Sequence, residues 1–411
     1  MTKNTKKCRV CSKSISPFMT FGKMPIANAF LKKKEFKKEY FFHLSPCFCK
    51  SCYSFQLFTQ PNPKKMFHKN YAFFSRTSKY MVNHFKSYAN WVKNTYLTSS
   101  DSFVVEIGSN DGAMIENFLK HNIRHLGIEP SENVAEEARK YGINTLCSFF
   151  NLETAQKIVS KHGRADALIA ANVVCHIPDL HGVARGIDYL LKPEGVIVFE
   201  EPYLGDMIEN TAYDQIYDEH VYMFSAHSVR NIFKKYGFEL IDAKPQKTHG
   251  GSMRYVLARN GKRTISKNVE KQIAYEDEKK LHLKKTYDRF RENCELSRQN
   301  LVNLLQQQKK DGKRVVGYAA TSKSTTILNY CDIGPDLIEF ISDTTPIKQG
   351  KYSPGVHIPV YSYHKLQNKY PDSLVLFAWN HKEEIMAKEF SFLESGGEWI
   401  TYVPHVSLIQ K

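Results

Sequence analysis

The chain has 411 residues, more than one compact core usually holds, so its length predicts two or three domains. Apolar residues make up 42% and aromatic residues 13%, as in ordinary globular proteins, while the formal charge of +16 calls for an anionic partner. The sequence has no apolar run of about 18 residues and no leader-like start, so we expect a soluble, cytoplasmic protein without a membrane partner. Because the lysine clusters are scattered, a phosphorylated metabolite is favoured as the anion, with nucleic acid as the alternative.

Two C-x-x-C pairs mark the N-terminal part of the chain, which is dense in Cys, Lys and Phe to about residue 65. In each pair, two thiolates and nearby backbone N–H groups can converge on one tetrahedral ion, normally Zn²⁺. The 37 residues between the pairs exceed the usual spacing of about 15–20, so an insertion must loop out, and Cys47 is expected to be a bystander. Nine cysteines, an odd number, also favour metal over disulfides. We therefore predict a structural zinc site with four ligands: Cys8, Cys11, Cys49 and Cys52.

The middle of the chain alternates strand and helix patterns, beginning with a helix over Tyr80–Tyr96 and ending at about residue 260. Seven strands is the number found in a doubly wound sheet closed by an antiparallel hairpin, which the last two strands would form. The predicted strands are Phe103–Ile107, His125–Ile128, Thr145–Phe149, Ala167–Asn172, Gly195–Phe199, Phe238–Ile241 and Ser252–Ala258.

A turn rich in glycine and small polar residues, 108–112, follows the first of these strands and leads into a helix. Such a turn lets the backbone come close to a ligand. Glu129 lies about 20 residues further on, where nucleoside-binding α/β folds place a carboxylate on the ribose hydroxyls. Glu106 and Asp111 flank the turn, and two acids suit the cationic centre of S-adenosylmethionine better than a diphosphate. An ordinary strand-turn-helix is the alternative for the turn alone.

A cluster of acid–base groups follows the fifth strand, within 211–225. Tyr217, Glu219 and His220 lie past the carboxyl end of a strand, where open α/β sheets keep their chemistry. A histidine beside a carboxylate is suited to remove a proton at neutral pH, because its unperturbed pKa is about 6.5. Without further context, the pattern favours a simple polar loop residue at His220 over a base.

The last third of the chain begins with a helical connector over Ile265–Lys309, which contains no proline or glycine and forms one or two helices. A second α/β unit follows, with a strand in 312–320, a turn at 321–325 and a helix at Thr326–Tyr330. Its further strands are predicted at Leu337–Ser342 and Leu374–Ala378. This unit is similar to a dinucleotide fold but lacks the glycine spacing of one.

Seven sequence motifs follow one another along the chain: the two C-x-x-C pairs (the zinc knuckles), E-I-G-S-N-D-G (106–112), E-P-Y (201–203), Y-D-Q-I-Y-D-E-H (213–220), H-G-G-S-M-R (249–254), G-Y-A-A-T-S-K-S (317–324) and K-Q-G-K-Y-S-P-G (348–355). Together they resemble the sugar C-methyltransferases that act on nucleotide-linked keto-deoxysugars, and the resemblance runs through the whole chain in order. It implies an α/β protein with an N-terminal zinc-binding module (1–70), a central Rossmann-like seven-stranded S-adenosylmethionine domain (71–260) and a C-terminal Rossmann-like substrate domain (261–411).

The resemblance also implies roles for individual residues. His220 would be the general base, with Tyr217 and Glu219 orienting it or the sugar, and His176 and Tyr71 would face the substrate. Ser324 departs from the family pattern A-S-x-K-G, which has glycine there, and this questions a close approach of substrate phosphate. The implied cofactor-binding residues are Glu106, Gly108, Asn110, Asp111, Gly112, Glu129 and Asn172.

The implied reaction is methylation of a carbon that an adjacent ketone makes acidic, and it needs no catalytic metal. The nucleotide-diphosphate sugar would explain the basic charge, with Lys323 and Arg254 as candidate anchors of the diphosphate. Two alternatives stay open: an O- or N-methyltransferase acting on a phosphorylated small molecule, and a zinc-ribbon protein that binds nucleic acid. The chain lacks the interleaved basic and aromatic repeats of a nucleic-acid-binding surface, so we expect no nucleic-acid partner. We also expect a monomer.

Overall fold

Short antiparallel strand pairs surround the cysteines in the N-terminal part of the chain. The computed structural model describes residues 5–66, 71 and 73–411, so the predicted domain boundary at residue 70 lies outside the described residues. Here β1 pairs with β2, β3 with β4, and β5 with β6. The strands are β1 (Lys6–Lys7), β2 (Ser14–Ile15), β3 (Gly22–Pro25), β4 (Phe41–Leu44), β5 (Pro46–Phe48) and β6 (Phe55–Leu57).

A seven-stranded sheet with helices on both faces forms the centre of the molecule. Its order is β13-β14-β11-β10-β7-β8-β9, parallel except for β14, which runs antiparallel to both neighbours. This confirms the predicted doubly wound sheet closed by a terminal hairpin. The elements are α1 (Lys79–Tyr96), β7 (Phe103–Ile107), α2 (Glu116–Leu119), β8 (Arg124–Ile128), α3 (Glu132–Lys140), β9 (Thr145–Leu146), α4 (Leu152–His162), β10 (Ala165–Ala171), α5 (Leu180–Leu190), β11 (Leu191–Pro202), α6 (Leu204–Glu209), β12 (Tyr222–Met223), α7 (Ala226–Phe233), β13 (Phe238–Gln246) and β14 (Ser252–Arg259).

Helix α1, predicted over Tyr80–Tyr96, packs on this sheet through one apolar face. Ser78 caps its first turn by accepting a hydrogen bond from the Met81 backbone. Phe85, Tyr88 and Val92 are buried at helical spacing on the same face. The Tyr88 hydroxyl donates to the Val198 carbonyl oxygen at 2.8 Å, which fixes the helix against the middle of the sheet.

Strand β12 does not join the central sheet. It pairs with β6 of the N-terminal part and completes a three-stranded sheet in the order β12-β6-β5. The Leu57 backbone also donates to the Val221 carbonyl oxygen at 2.8 Å. The segment directly after His220 is therefore held by the cysteine-bearing part of the chain.

The C-terminal part contains a second sheet in the order β17-β16-β15-β18-β19-β20, parallel except for its last pair. The connector that leads to it is divided into two helices, α8 and α9. In the described part of the chain, no helix is long and apolar enough to cross a membrane. The elements are α8 (Lys267–Glu278), α9 (Lys284–Lys310), β15 (Val315–Tyr318), α10 (Ser322–Tyr330), β16 (Ile341–Ser342), β17 (Val360–Tyr361), α11 (Tyr363–Asn368), β18 (Ser373–Leu376), α12 (Lys382–Lys388), α13 (Phe390–Glu394), β19 (Glu398–Thr401) and β20 (Ser407–Ile409).

Helix α10 begins four residues before the predicted start at Thr326. Thr321 is its N-cap and accepts a hydrogen bond from the Ser324 backbone, while the Ser324 hydroxyl accepts one from the Thr321 backbone. The predicted turn is therefore the capping box and first turn of the helix. Ser324 is fully buried there, so it serves the cap and is not exposed for contact with a phosphate.

Candidate active site and zinc centre

The four cysteines of the two knuckles converge on one point. The sulfur atoms of Cys8 and Cys52 lie 3.6 Å apart, and those of Cys11 and Cys49 lie 3.4 Å apart. All four sulfur atoms are within 4.8 Å of one another. A zinc ion with Zn–S bonds of about 2.3 Å places its thiolates about 3.8 Å apart, so this group fits a tetrahedral zinc ion. Four thiolates leave no open position, which makes the site structural.

Both C-x-x-C pairs are followed by the same type of backbone turn. Ser12 and Tyr53, each one residue after a C-x-x-C pair, have φ values of 61° and 60°. The Gln56 side chain donates to the Cys8 sulfur at 3.0 Å and orients this ligand. Cys47 is not one of the four clustered thiols, as predicted, and burial raises its pKa to about 12.

The predicted cofactor turn follows β7 and has the backbone of a ligand-binding loop. Gly108, Asn110 and Gly112 have φ values of 67°, 50° and 78°, a region that glycine and asparagine tolerate best. Glu129, at the end of β8, accepts hydrogen bonds from the backbones of Asn110 at 3.0 Å and Ser131 at 2.8 Å. The carboxylate therefore holds the turn and can still accept bonds from ribose hydroxyls with its remaining lone pairs.

A short segment before α1 lies across this turn. The Asn110 side chain accepts a hydrogen bond from the Ser75 backbone at 2.9 Å, and Asp111 accepts one from the Arg76 backbone at 2.9 Å. The Tyr71 carbonyl oxygen accepts a bond from the Asn133 side chain at 3.0 Å. Asn110 and Asp111, both predicted to contact the cofactor, thus also position the segment that carries Tyr71.

Buried acceptor atoms without a partner among the described residues surround the turn. They are one carboxylate oxygen each of Glu106 and Asp111 and the amide oxygen of Asn172. Burial, and next to it the charge of Asp111, raises the pKa of Glu106 well above its usual range. Buried acceptors of this kind call for donors. A cationic ammonium group such as that of S-adenosylmethionine would supply them, so these residues fit the predicted cofactor.

His220 is held in one tautomer by its own loop. Its Nδ1 lies 2.7 Å from the Gln215 carbonyl oxygen, which can only accept, so Nδ1 carries the proton. Its Nε2 then accepts a hydrogen bond from the Tyr217 hydroxyl at 2.7 Å. Burial lowers the pKa of His220 well below its usual range, so the imidazole is neutral at pH 7 with a lone pair on Nε2.

Two adjacent carboxyl groups beside His220 are anchored to the zinc module. Asp218 accepts a hydrogen bond from the Ala27 backbone at 2.9 Å, and Glu219 accepts one from the Asn28 side chain at 2.8 Å. The Tyr71 hydroxyl donates to the other oxygen of Glu219 at 3.3 Å. Burial raises the pKa of both carboxyls, and Glu219 raises the pKa of Asp218 further.

Two more histidines lie next to the base candidate. The rings of His176 and His220 are stacked with centroids 5.3 Å apart. His249, in the hairpin between β13 and β14, has its Nε2 3.0 Å from the amide nitrogen of Asn172. Burial lowers the pKa of His176 to about 4 and that of His249 to about 3, so both rings are neutral at pH 7. Asn172 thus links the predicted cofactor residues to His249.

Residues of the C-terminal domain contact the loop that carries His220. The Lys323 ammonium donates to the Asn380 side-chain oxygen at 3.0 Å and lies 4.6 Å from the centre of the Trp379 ring. One oxygen of Asp214 accepts bonds from the Trp379 indole at 2.6 Å and from the Tyr402 hydroxyl at 2.8 Å. Asp214 belongs to the same loop as His220, so this loop joins the two domains.

Arg254 has a different role from the predicted diphosphate anchor. It is 7% exposed, its Nε donates to Glu200 at 2.6 Å, and its guanidinium covers the Tyr88 ring. His84 approaches the second oxygen of Glu200 at 2.6 Å. Since Glu200 and Arg254 are register partners on β11 and β14, the pair is part of the sheet core, and its charge is already neutralised.

Sequence reasoning missed several residues of this site. Asn28 lies in the insertion between the two knuckles, and Asp214, Trp379 and Asn380 were not identified as site residues. The expected loop between the cysteine pairs was the one available signal for Asn28, because an insertion in a zinc ribbon must pack somewhere. Trp379 is one of only three tryptophans in the chain, but its sequence position does not reveal its partner.

Comparison with known proteins agrees with this geometry. A family model described as a methyltransferase domain matches residues 79–243, and one described as a C-methyltransferase C-terminal domain matches residues 247–404. A third model, described as a zinc binding domain, matches residues 8–67. C-methyltransferase NovU of Streptomyces niveus is 32% identical over 407 residues, which cover 98% of this chain and 96% of NovU.

Solved structures of other proteins also match part of the chain. The magnesium protoporphyrin IX methyltransferase of Synechocystis PCC 6803 with bound S-adenosylmethionine is 14% identical, with a TM-score of 0.33, over 44% of this chain and 79% of that one. The YcgJ protein of Bacillus subtilis is 12% identical, with a TM-score of 0.35, over 44% of this chain and all of YcgJ. The near full-length match to NovU and the three family models together show that this chain belongs to the C-methyltransferase family, as a S-adenosylmethionine-dependent enzyme with an N-terminal zinc-binding domain.

Proposed function

We propose that the protein methylates a carbon next to the ketone of a nucleotide-linked keto-deoxysugar, with His220 as the general base. The observation that carries this proposal is the hydrogen bond from His220 Nδ1 to the Gln215 carbonyl oxygen, which leaves Nε2 as a neutral base. Transfer to carbon needs an enolate and therefore a base that removes a C–H proton, which this imidazole can do. The similarity to a C-methyltransferase favours carbon over oxygen or nitrogen as the acceptor.

The chain's own residues supply proton removal and orientation. The ketone acidifies the neighbouring C–H bond, and Nε2 of His220 takes the proton while the electron pair moves onto the ketone oxygen. The carbon of this enolate then attacks the methyl group. When bound, S-adenosylmethionine supplies that methyl group on a positively charged sulfur, which leaves with the S–C electron pair. Without substrate the Tyr217 hydroxyl donates to the Nε2 lone pair and holds the imidazole in place; when the sugar binds, the hydroxyl gives up this bond so that the lone pair can take the proton.

The neighbours of His220 have roles in this scheme as well. Glu219 and Tyr71 are joined by a hydrogen bond and orient the sugar at the entrance to the base. His176 stacks beside His220 and faces the same substrate. Because burial keeps His176 neutral at pH 7, it adds no positive charge that would oppose protonation of His220 during the reaction.

The cofactor lies on the turn after β7 in this proposal. Gly108 and Gly112 would allow its close approach, and Asn110 would keep the turn in place. Its ammonium group would be held by Glu106, Asp111 and Asn172. The carboxylate of Glu129 accepts hydrogen bonds from the ribose hydroxyls. Among the described residues, Glu106, Asp111 and Asn172 each have one buried oxygen without a hydrogen-bond donor, and these oxygens support a cationic ligand at this position.

Replacing Glu129 with Gln should weaken binding of S-adenosylmethionine by about 10- to 100-fold, because each hydrogen bond to a charged group contributes about 1.5–3 kcal/mol. Titration calorimetry would measure this. Glu132→Gln is the matched control, since Glu132 is exposed in the first turn of α3. An unchanged affinity in Glu129→Gln, with unchanged thermal stability, would remove Glu129 from the cofactor site.

The partner and organisation of the chain complete the proposal. A nucleotide-diphosphate sugar is the anion that the charge of +16 attracts, and neither nucleic acid nor a membrane is a partner. We infer a monomer located in the cytoplasm, divided into 1–70, 71–260 and 261–411. The last boundary follows β14, the strand that completes the central sheet before the connector begins.

Solvent exchange tests the proposed reaction. Incubated in D₂O with a nucleotide-linked keto-deoxysugar and without methyl donor, the enzyme should place one deuterium on the carbon next to the ketone, as seen by mass spectrometry and NMR. The same sugar with its ketone reduced to an alcohol should show no exchange, because its C–H bond is not acidic. If the keto-sugar also exchanges no hydrogen and accepts no labelled methyl group, the proposed substrate class is wrong.

A further inference from the structure

Lys323 belongs to the C-terminal domain and lies near two other segments. One is the loop that carries Asp214 and His220, called the base loop here, and the other is the hairpin between β13 and β14 that carries His249. Lys323 is in the first turn of α10, directly after the carboxyl end of β15. Its ammonium group lies above the ring of Trp379, and the same ring closes on Gly250, where an added Cβ would come within 2.2 Å of it. Gly250 is the neighbour of His249. Lys323 is therefore attached, through one aromatic ring, to the hairpin that contacts Asn172.

The position of Lys323 is set by the same loop that sets His220. Asp214 holds Trp379 through the indole N–H, and the next residue, Gln215, holds His220 through its carbonyl oxygen. Asn380 accepts one hydrogen bond from the ammonium group. An ammonium group has three donors, and among the described residues Asn380 is the one hydrogen-bond acceptor shown for it, so two donors can serve a substrate atom. Asp214 and Gln215, adjacent in one loop, thus fix the surroundings of Lys323 and the ring of His220 respectively.

The charge of Lys323 acts on the reaction site. Burial is the main cause of the lowered pKa of His220 and His249, and the charge of Lys323 lowers both further. Burial lowers the pKa of Lys323 itself, while Asp214 opposes that shift. A cation fixed by the loop that also fixes the base can stabilise negative charge that develops on a substrate atom bound there.

We propose that Lys323 is a catalytic residue whose ammonium group donates a hydrogen bond to the ketone oxygen and stabilises its negative charge in the enolate. The inference rests on the proposed function. As His220 Nε2 takes the proton, the C–H electron pair forms the C=C bond and the carbonyl π pair moves to the oxygen that Lys323 contacts. When the carbon attacks the methyl group, the C=O bond forms again and the hydrogen bond weakens.

This role differs from that of a diphosphate anchor. The ketone oxygen is bonded to the neighbour of the carbon that loses its proton, so its donor must lie close to the base. A diphosphate carries several negative charges, and the carboxylate of Asp214, which acts electrostatically on Lys323, would repel it. The joint attachment of Lys323 and His220 to one loop favours the oxygen next to the reacting carbon.

Lys323→Met and Lys323→Gln test the proposal by two readouts, measured beside the wild type. The first is deuterium exchange of the keto-sugar at saturating concentration without methyl donor, and the second is the Kd of the corresponding free nucleoside diphosphate. We expect exchange and kcat to fall by about 10²- to 10³-fold, as for loss of one oxyanion donor, with the Kd unchanged. Lys323→Arg keeps the charge and should retain more activity than either neutral variant.

Lys348→Met is the matched control, because Lys348 is a second half-buried lysine of the same domain, whose ammonium donates to the Ala320 carbonyl oxygen at 2.7 Å. It should not reproduce the loss of exchange. Full exchange at saturation with a raised Kd in the Lys323 variants would make Lys323 a diphosphate anchor and overturn the proposal, as would full exchange with an unchanged Kd. Absence of exchange in the wild type would instead refute the proposed function.

Discussion

Replacing His220 with Asn is expected to lower both deuterium exchange and methyl transfer by about 10²- to 10⁴-fold, the usual contribution of a positioned general base. Asparagine offers no basic lone pair, so nothing at this position could take the proton. We expect the neighbouring His176 not to replace the base, because Gln215 and Tyr217 hold the ring of His220 in the orientation that the reaction uses. Mass spectrometry of the sugar after incubation in D₂O would measure exchange, and a labelled methyl donor would measure transfer.

Two further variants make the His220 result specific. Tyr217→Phe removes the hydroxyl that donates to Nε2 but keeps the base, so its loss of exchange should be smaller than that of His220→Asn. His121→Asn changes an exposed histidine outside the cluster and should have no effect. Exchange that persists in His220→Asn, in a protein with normal zinc content and normal cofactor affinity, would contradict the assignment of the base.

The fold could be predicted from the sequence to the extent that local patterns determine it. Strands β7 and β10 are covered on both faces, so each is a nearly continuous apolar run, and both were predicted within two residues of their bounds. The cofactor turn was recognisable because glycine and asparagine tolerate positive φ. The start of α10 was missed, since a threonine and serine in T-S-K-S also suit a turn.

The site could be predicted only where its residues are close in sequence. His220, Glu219 and Tyr217 share one motif, whereas the bond from Asn28 to Glu219 joins residues 191 positions apart, and that from Trp379 to Asp214 spans 165. Such pairs depend on how three domains dock, which no local pattern encodes. Arg254 shows the converse limit, because a basic residue near the site can belong to a buried ion pair instead of a ligand contact.

Loss of zinc is expected to lower the stability of the protein and also the activity of the site around His220. Replacing Cys49 with Ser removes one of four thiolates, so the bound zinc should fall from one ion per chain to well below one. A metal present at 1,000 times its Kd stabilises the folded state by about 4 kcal/mol. We therefore expect a thermal midpoint lower by several degrees, measured by calorimetry beside metal analysis of the same sample.

Activity should fall even at temperatures where the zinc-depleted protein remains folded, because the module holds the base loop on both sides of His220. Ala27 and Asn28, between the two knuckles, bond to Asp218 and Glu219, and β6 pairs with the strand that follows His220. Cys147→Ser is the control, since that thiol is exposed and outside the quartet. A zinc-free Cys49→Ser protein with normal exchange would mean that the base loop holds its geometry without the module, and the proposed coupling would then be wrong.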